Sequence, residues 1–328
     1  MPHRRSTVSY RVKKSRVGKK LKSHTRLLFV LGGVLIVVIL TVVWGLIWGE
    51  KAQESALERA EARLQEQALD AEIPDWLPTQ PEPMQASYLG KITSLADATA
   101  AAATLAEGGA TALSVPLYLD GTPQYSSPTA HALGRQAEHD SDVTLARLFA
   151  AILNENCRIA ATFACDWQGQ TDPALRRVAR TYEAALVAEI ATAGADEVLL
   201  TGLAVSEENR SEVALFLREI RESAPDAVIG VSLPTALMLD DDRVETARTL
   251  LTWVDHLALD LSDYATHTVS VTDEDGTVTR QSTDLPQILD LLDPAIRRYR
   301  MRLILPVSMY EQLLTLEELG YTNWQIIR

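Results

Sequence analysis

The most restrictive feature of this sequence is an eightfold alternation that begins at Met84. Short runs rich in apolar and β-branched residues alternate with amphipathic stretches of helical period, which predicts strands and helices in turn. The strand-like runs are residues 86–90, 111–120, 157–167, 196–204, 227–234, 256–263, 302–310 and 323–328. Eight such units fit a (β/α)8 barrel, which typically has about 250 residues. The sequence therefore predicts an α/β fold with a TIM barrel over residues 84–328.

A doubly wound open sheet is the alternative arrangement of alternating strands and helices. Such a sheet often carries a glycine-rich phosphate loop after its first strand. The first run and the residues behind it, ASYLGKITS at 86–94, contain no G-x-G-x-x-G pattern. The closed barrel is therefore the favoured arrangement.

The helical stretches between the strands have apolar faces that would pack on the barrel. They are residues 94–107, 174–193, 211–223, 243–253, 285–300 and 311–319. The longest helix follows Asp172, a suitable N-cap, and Pro173, which suits the first helical position. Its buried face is predicted to consist of Leu175, Val178, Tyr182, Leu186 and Ile190.

The N-terminal region predicts a membrane anchor. Residues 1–26 hold ten Lys or Arg residues and no Asp or Glu, and residues 27–48 carry no charge. A helix of that length spans about 33 Å, which exceeds a hydrocarbon core of about 30 Å. Trp44 and Trp48 lie near its outer end, where amphipathic rings favour the interface. A cleavable signal peptide would have a shorter apolar region, roughly 7–15 residues, and a small-residue cleavage site, and the sequence has neither.

The charge distribution predicts a single-pass protein of the cell membrane. The basic tail is expected in the cytoplasm and residues 49–328 outside it. The net charge is −13 for the whole chain and −23 for residues 27–328, because ten basic charges lie in the tail. Such an acidic domain argues against nucleic acid and anionic lipid as its partners. The tail alone resembles a nucleic-acid arm, but beside a span it is expected to set topology and contact anionic head groups.

Residues 49–83 are expected to connect the anchor to the barrel. The first part is predicted to be a short helical stalk, and its thin apolar stripe permits a weak coiled-coil dimer. The stripe is Leu57, Ala60, Leu64 and Ala68. Residues 73–83, IPDWLPTQPEP, contain four prolines and predict a stiff linker.

Two insertions follow predicted strands, so both would lie at the C-terminal end of the barrel, where active sites of this fold occur. Residues 120–142 contain Gly, Pro, Ser and His residues. Residues 266–283 alternate Val and Thr around Asp275-Gly276, which predicts a β-hairpin. The hairpin would be a lid, the wall of a groove, or a solvated loop.

Residue types that bind metals or form common catalytic motifs are sparse. Cys157 and Cys165 lie at the two ends of one predicted strand, roughly 26 Å apart and too far for a disulfide. The lone histidines do not cluster, and neither a zinc-ligand spacing nor a G-x-S-x-G motif is present. No metal and no cofactor is therefore predicted. The low cysteine count and the topology indicate a bacterial envelope protein.

Strand alternation selects the side chains that can reach the mouth of the barrel. In residues 256–263, for example, three leucines share the outward face and Asp260 faces inward. The side chains predicted to line the mouth are Tyr88, Tyr118, Asp120, Asp166, Trp167, Thr201, Ser232, Asp260, Asp263 and Tyr310.

Two of these side chains, Asp166 and Asp260, are the candidate catalytic carboxylates. A carboxylate at the end of a buried strand needs solvent or a partner, so each could also be a loop-fixing acceptor of backbone N–H bonds. Trp167 and Tyr310 are candidates for stacking on sugar rings, or for closing the rim. Three further carboxylates lie at helix starts, where they compensate the helix dipole: Glu207, Glu208 and Glu311.

Several segments give the region 84–328 a resemblance to a known class of barrels. The segment ATALSVPLYLDGTPQYSS is similar to a second strand of these barrels, and ADEVLLTGL is similar to a fourth strand. WVDHLALDLSDY is similar to a sixth strand, and RLILPVSMY and NWQIIR are similar to the last two. The sequence thus resembles glycoside hydrolase barrels related to the chitinase-like and amylase-like families. The resemblance implies a glycan-related function, and it aligns Asp260 with an Asp of the family's sixth strand.

The sequence departs from that family at its catalytic positions. Where the family carries a carboxylate late in the fourth strand, this chain has Thr201, or Leu203 in the chitinase-like register, and Leu117 replaces a frequent charged residue. Glycoside hydrolysis normally needs two carboxylates, about 5–5.5 Å apart for retention or about 6.5–9.5 Å for inversion. Asp166 and Asp260 lie on strands three apart, which can exceed either range.

Three hypotheses follow for the function. The first is a membrane-anchored, extracytoplasmic barrel that binds glycan or cell-wall polymer with weak or no hydrolysis. The second is an active glycosidase in which Asp166 or Asp260 is nucleophile or base and a loop carboxylate, Asp120, Glu207 or Asp263, is the acid. The third is an envelope scaffold whose barrel docks protein partners.

Overall fold

The structure is a computed structural model that describes residues 77–79, 81–133, 142–238, 243–262, 269–271, 278–280 and 285–328. The predicted tail, the anchor at 27–48 and the stalk lie outside these residues, and so do Asp263 and parts of both insertions. Within the described ranges, no helix has the length and apolarity needed to cross a membrane.

Eight parallel strands form a closed barrel. They are β1 (Gln85–Tyr88), β2 (Ala112–Leu119), β4 (Arg158–Ala164), β5 (Glu197–Thr201), β6 (Ile229–Pro234), β7 (His256–Asp260), β10 (Arg302–Pro306) and β11 (Trp324–Ile327). Neighbouring strands pair in the order β1-β11-β10-β7-β6-β5-β4-β2, and the pairing of β1 with β2 closes the ring. The predicted TIM barrel is therefore confirmed, with all eight strands at the expected places.

Helices connect the strands around the outside of the barrel. They are α1 (Leu95–Glu107), α2 (Pro128–Ala132), α3 (Leu145–Asn154), α4 (Pro173–Thr192), α5 (Arg210–Ser223), α6 (Thr235–Met238), α7 (Arg243–Leu251), α8 (Leu285–Tyr299) and α9 (Leu313–Glu318). Two 3₁₀ helices, Trp167–Gly169 and Val307–Gln312, follow β4 and β10. Several predicted strands are too long because their last residues already belong to these turns and loops.

The two insertions contain short antiparallel strands. β3 (Thr122–Pro123) folds back on the end of β2. β8 (Val269–Val271) pairs with β9 (Val278–Arg280), with Val269 opposite Arg280. The predicted hairpin around Asp275-Gly276 is therefore confirmed, although its turn lies outside the described residues.

Helix α4 corrects the predicted apolar face. Tyr182, Leu186 and Ile190 are buried, but Leu175 and Val178 are about 60% exposed. The twenty residues of α4 span about 30 Å, whereas the seven residues of β4 span about 23 Å. The first turns of the helix therefore overhang the strand that the rest of the helix covers.

The barrel interior is filled in layers that run across the strands. Glu197, His256 and Arg302 are the first residues of β5, β7 and β10, and all three are at most 2% exposed. Two residues further along the same strands, an apolar cluster of Leu199, Ala258 and Ile304 lies above them. Since alternate residues of a strand face the same side, the apolar cluster separates the charged layer from the mouth.

The charged layer is one connected network. Arg302 Nη1 donates to Glu197 Oε1 and, at 3.3 Å, to Gln325 Oε1. Gln325 Nε2 in turn donates to Ser114 Oγ at 3.1 Å, and His256 Nε2 lies 3.3 Å from Glu197 Oε1. The network joins β2, β5, β7, β10 and β11 across the interior.

A glycine on the neighbouring strand leaves room for this network. A Cβ on Gly230 would lie 2.3 Å from His256 Nε2. Any side chain at this position of β6 would therefore displace the imidazole ring, so the fold requires glycine here for space.

Acid should unfold this protein partly through Glu197. Burial alone raises the pKa of Glu197, but the charges of His256 and Arg302 outweigh it and lower the pKa from 4.5 to about 2. Because the folded-state pKa is the lower one, the carboxylate stabilises the fold above about pH 4.5, and this contribution of about 3 kcal/mol is lost as the pH falls towards 2. We expect Glu197→Gln to remove that part of the pH dependence and to cost about 3–5 kcal/mol at pH 7, since Arg302 stays buried without its partner.

The measurement is urea unfolding of the full chain by circular dichroism between pH 7 and pH 3. The control is Glu107→Gln, which changes an exposed carboxylate at the end of α1. Equal stability of Glu197→Gln and the control at pH 7 would contradict the assigned role.

Candidate functional site

The candidate site lies at the mouth, on the side where β11, β1, β2 and β4 end. These four strands are consecutive around the barrel. Their C-terminal ends carry Tyr88, Asp120, Asp166 and Arg328. We call this group the β1–β4 cluster. Because parallel strands end at one edge, side chains from separate parts of the sequence meet here.

The cluster contains one ion pair. Arg328 Nη1 donates to Asp120 Oδ2 at 3.2 Å, and both side chains are largely exposed. Such a surface pair contributes at most about 1 kcal/mol to stability. The half-buried Tyr88 is close to the same guanidinium: burial raises the pKa of the Tyr88 hydroxyl, and the charge of Arg328 acts in the opposite direction.

Asp166 lies beside the turn that carries Asp120. Gly121 follows Asp120 with φ +75°, and a Cβ at Gly121 would lie 3.3 Å from Asp166 Oδ2. The absence of a side chain at Gly121 thus leaves room for the Asp166 carboxylate against this turn. Asp166 is exposed, and no hydrogen-bond donor to its carboxylate is found among the residues that the structure describes.

A buried carboxylate holds the backbone of Asp166. The backbone N–H of Asp166 donates to both side-chain oxygens of Glu183 on α4, at 3.2 and 3.1 Å, and Glu183 is 2% exposed. The free end of the Asp166 side chain can therefore reach solvent while its main chain is fixed. A fixed backbone with an accessible carboxylate suits ligand binding.

The second candidate carboxylate, Asp260, lies elsewhere on the mouth. It ends β7, and β5 and β6 lie between β7 and β4 in the ring. Its Oδ1 accepts a hydrogen bond from the backbone N–H of Ser262 at 2.8 Å. Asp260 thus has the contact expected of a loop-fixing residue, while the Asp166 carboxylate lies against Gly121, the residue that follows Asp120.

Two predicted mouth residues on neighbouring strands are less accessible. Thr201 ends β5 half-buried, and its Oγ1 lies 3.5 Å from the carbonyl oxygen of Phe163. Ser232 in β6 is 4% exposed and lies within the barrel wall. Asp263 falls outside the described residues.

The predicted position of Tyr118 at the mouth is wrong. Pro116 pairs with Thr162, but Tyr118 pairs with Phe163, so β2 contains one extra residue between these two pairs. This β-bulge reverses the alternation, as bulges do. Tyr118 therefore turns outward, where it is 1% exposed and its ring stacks on Phe163 with the centroids 4.3 Å apart.

Trp167 also lies in the core and not at the mouth. It begins the 3₁₀ helix after β4, is 1% exposed, and packs against Phe216 of α5 with ring centroids 5.6 Å apart. A side chain this deeply buried has no face open for a sugar ring. Tyr310, in contrast, is 60% exposed on the 3₁₀ helix after β10.

Among the described residues, the side-chain amides of Gln168 and Asn209, and no carboxylate, fix the loop after β5. Gln168 exchanges two hydrogen bonds with the backbone of Ala204, each 2.8 Å long. Asn209 donates to the same carbonyl oxygen and accepts from Ser206 N. Glu207 is exposed in this loop just before α5, as is Glu208, in agreement with the helix-start interpretation.

The sequence reasoning missed three residues of this region. Arg328 directly follows β11, so the criterion of a polar side chain at a strand end would have selected it too. Gly121 and Glu183 carry no such signal, since their roles depend on contacts with Asp166.

Cys157 and Cys165 are both free, as expected, and burial raises the pKa of each thiol. Among the described residues, no group of His, Cys, Asp and Glu could hold a metal ion.

Comparison with solved structures supports the barrel fold. A proposed alpha-L-fucosidase from Bacteroides thetaiotaomicron is 10% identical with a TM-score of 0.51, and the match covers 77% of this chain and 87% of that one. The cortex-lytic enzyme SleL from Bacillus cereus is 12% identical with a TM-score of 0.43, over 70% of this chain. A Ruminococcus gnavus sialic acid aldolase is 9% identical with a TM-score of 0.42, over 74% of this chain and 66% of that one.

These similarities concern the fold alone. The match spans about half of SleL, 52% of its length. No family profile matches this sequence, and comparison with curated proteins gives no match. The (β/α)8 barrel is thus defined by the strand order of this chain and is similar in fold to the proposed fucosidase, and the function has to be inferred from the site.

Gly121→Ala should test the left-handed turn that follows Asp120 and lies against the Asp166 carboxylate. The left-handed φ costs an alanine about 1–2 kcal/mol, and its methyl group would press on Asp166 Oδ2. We expect a loss of stability of that size in urea unfolding. Gly169→Ala is the matched control, because its Cβ would also contact the Asp166 carboxylate, at 3.4 Å, without a left-handed φ. Equal stability losses in both variants would contradict the conformational explanation.

Proposed function

We propose that this protein is a single-pass membrane protein whose extracytoplasmic barrel binds a glycan at its mouth, with weak or no hydrolysis. The observation that carries the proposal is the exposed Asp166 carboxylate against the Gly121 turn, on the side of the mouth where Asp120 pairs with Arg328. The topology rests on the basic tail at 1–26 and the uncharged run at 27–48.

The chemistry of the β1–β4 cluster supports sugar recognition. The Asp166 carboxylate can accept hydrogen bonds from hydroxyl groups, and the Arg328 guanidinium can donate to ring and hydroxyl oxygens. The half-buried Tyr88 offers an apolar ring with a polar tip. The barrel is similar in fold to a proposed fucosidase, and the sequence resembles glycoside hydrolase barrels.

The contacts of the mouth carboxylates favour binding over hydrolysis. Asp120 is engaged by Arg328, Asp260 accepts a loop N–H, and the position late in β5 is Thr201. Glu207 is exposed at a helix start and not paired with Asp166 among the described contacts. An acid and a base that face one bond are therefore not assembled by the described residues.

One observation favours the second hypothesis, an active glycosidase. The Asp166 carboxylate lies against Gly121, the residue after Asp120, so these two carboxylates on adjacent strands are the pair that could flank a glycosidic bond. In that case Asp166 would be the nucleophile or base and Asp120 the acid. Arg328 would then have to release Asp120.

Glycan binding should depend on Asp166. We expect Asp166→Ala to weaken binding of the full chain to peptidoglycan fragments or a glycan array about tenfold, because a charge-assisted hydrogen bond is worth roughly 1.5–3 kcal/mol. Arg328→Gln should weaken it less, while Glu107→Gln, at the opposite end of the barrel, should not change it. Asp260→Ala is measured in parallel and should leave binding unchanged, and unchanged binding of Asp166→Ala would refute the proposed site.

A hydrolysis assay separates the first two hypotheses. We expect the detergent-solubilised chain to release no more reducing sugar from a bound glycan than Asp120→Asn or Asp166→Asn releases, because the described mouth residues assemble no acid–base pair. The readout is reducing ends over time with each glycan that binds. Turnover by the unmodified chain that both variants abolish would instead establish the glycosidase.

A further inference from the structure

A second surface with its own chemistry lies on the segment that follows β10. This segment consists of the 3₁₀ helix Val307–Gln312 and α9. Its inner side packs on the barrel through Met309 and Leu316, which are buried. On its outer side Val307, Tyr310 and Leu314 are 47%, 60% and 70% exposed. We call the outer side of this segment the 307–318 face.

The spacing places these three side chains on one side of the segment. Val307 and Tyr310 are three residues apart, which is one turn of a 3₁₀ helix, and Leu314 follows four residues later. Single exposed apolar residues are common on protein surfaces, but three large ones within eight residues indicate an interaction site. Nothing in the β1–β4 cluster requires this face, since it does not contribute to the contacts of Asp166.

The 307–318 face is also acidic. Glu311, Glu317 and Glu318 are exposed on the same segment, and residues 307–320 contain no Lys or Arg. No ion pair found among the described residues involves these glutamates. The face thus offers an apolar stripe with unneutralised negative charge along it.

We propose that the 307–318 face docks a basic amphipathic segment of a partner protein. Charge complementarity selects this occupant: apolar side chains would cover Val307, Tyr310 and Leu314, and flanking Lys or Arg residues would pair with the glutamates. The three carboxylates repel an anionic membrane surface. A sugar chain would gain little from Val307 and Leu314, since aliphatic side chains offer its hydroxyl groups no hydrogen bonds.

The test uses a defined probe, a labelled 14-residue helical peptide with leucines at i, i+3, i+4 and i+7 spacing and lysines elsewhere. The full chain is held in phosphatidylcholine nanodiscs, and binding is followed by fluorescence anisotropy. We expect Leu314→Ser to weaken binding about tenfold, because it removes a large apolar contact. Leu153→Ser is the matched control, since Leu153 is 53% exposed on α3, and it should bind as the unmodified chain does.

Charge is tested with two triple variants of equal net charge. We expect Glu311→Gln, Glu317→Gln and Glu318→Gln together to weaken binding and to reduce its salt dependence. The control changes three other exposed glutamates, Glu107, Glu207 and Glu208, to Gln. Equal effects of the two triples would show that the lysines respond only to the acidic domain as a whole, which overturns the proposal.

Other outcomes would assign the face to a different occupant and also overturn the proposal. Loss of self-association by Leu314→Ser in sedimentation velocity would assign it to a second copy of the chain. Loss of glycan binding by Leu314→Ser would assign it to the sugar site. Asp166→Ala should leave peptide binding unchanged, so the two proposals can fail separately.

Discussion

The closed barrel depends on how its interior is filled, because eight strands enclose a space that side chains must pack. In this protein the lower layer of that space is charged. The Glu197–Arg302 pair lies there with His256, and Gln325 extends the network to Ser114. Burying one of these charges alone would be costly, so each residue requires the others. The network therefore ties strands together that are distant in the sequence.

The apolar layer above this network divides the molecule into two parts with different roles. Leu199, Ala258 and Ile304 separate the charged layer from the mouth. The network therefore acts on stability and strand arrangement, while ligands can reach only the strand ends. This division explains why the mouth can carry an exposed Asp166 on a fixed backbone: the layers below support the strands on which it is placed.

Much of the fold could be predicted because strand and helix periods are local properties of the sequence. All eight barrel strands and the hairpin were confirmed, and Asp120 and Asp166 follow the ends of β2 and β4. The failures are equally specific. Tyr118 was misplaced because a bulge reverses alternation, and no residue type in β2 announces the extra residue. Trp167 was misplaced because the strand ended at Ala164 and a buried 3₁₀ turn followed.

The sequence by itself determined the eight strands and six of the helices that connect them, because these follow from hydrophobic periodicity; the helix Leu145–Asn154 was not predicted. It also determined the negative net charge of residues 27–328, and the basic segment at 1–26 that precedes the uncharged run at 27–48. Only the tertiary structure decided that Asp166 lies against the Gly121 turn and Arg328 pairs with Asp120, and that Glu197, His256 and Arg302 share one layer. These contacts join residues far apart in the chain, and their existence depends on strand order, register and barrel closure.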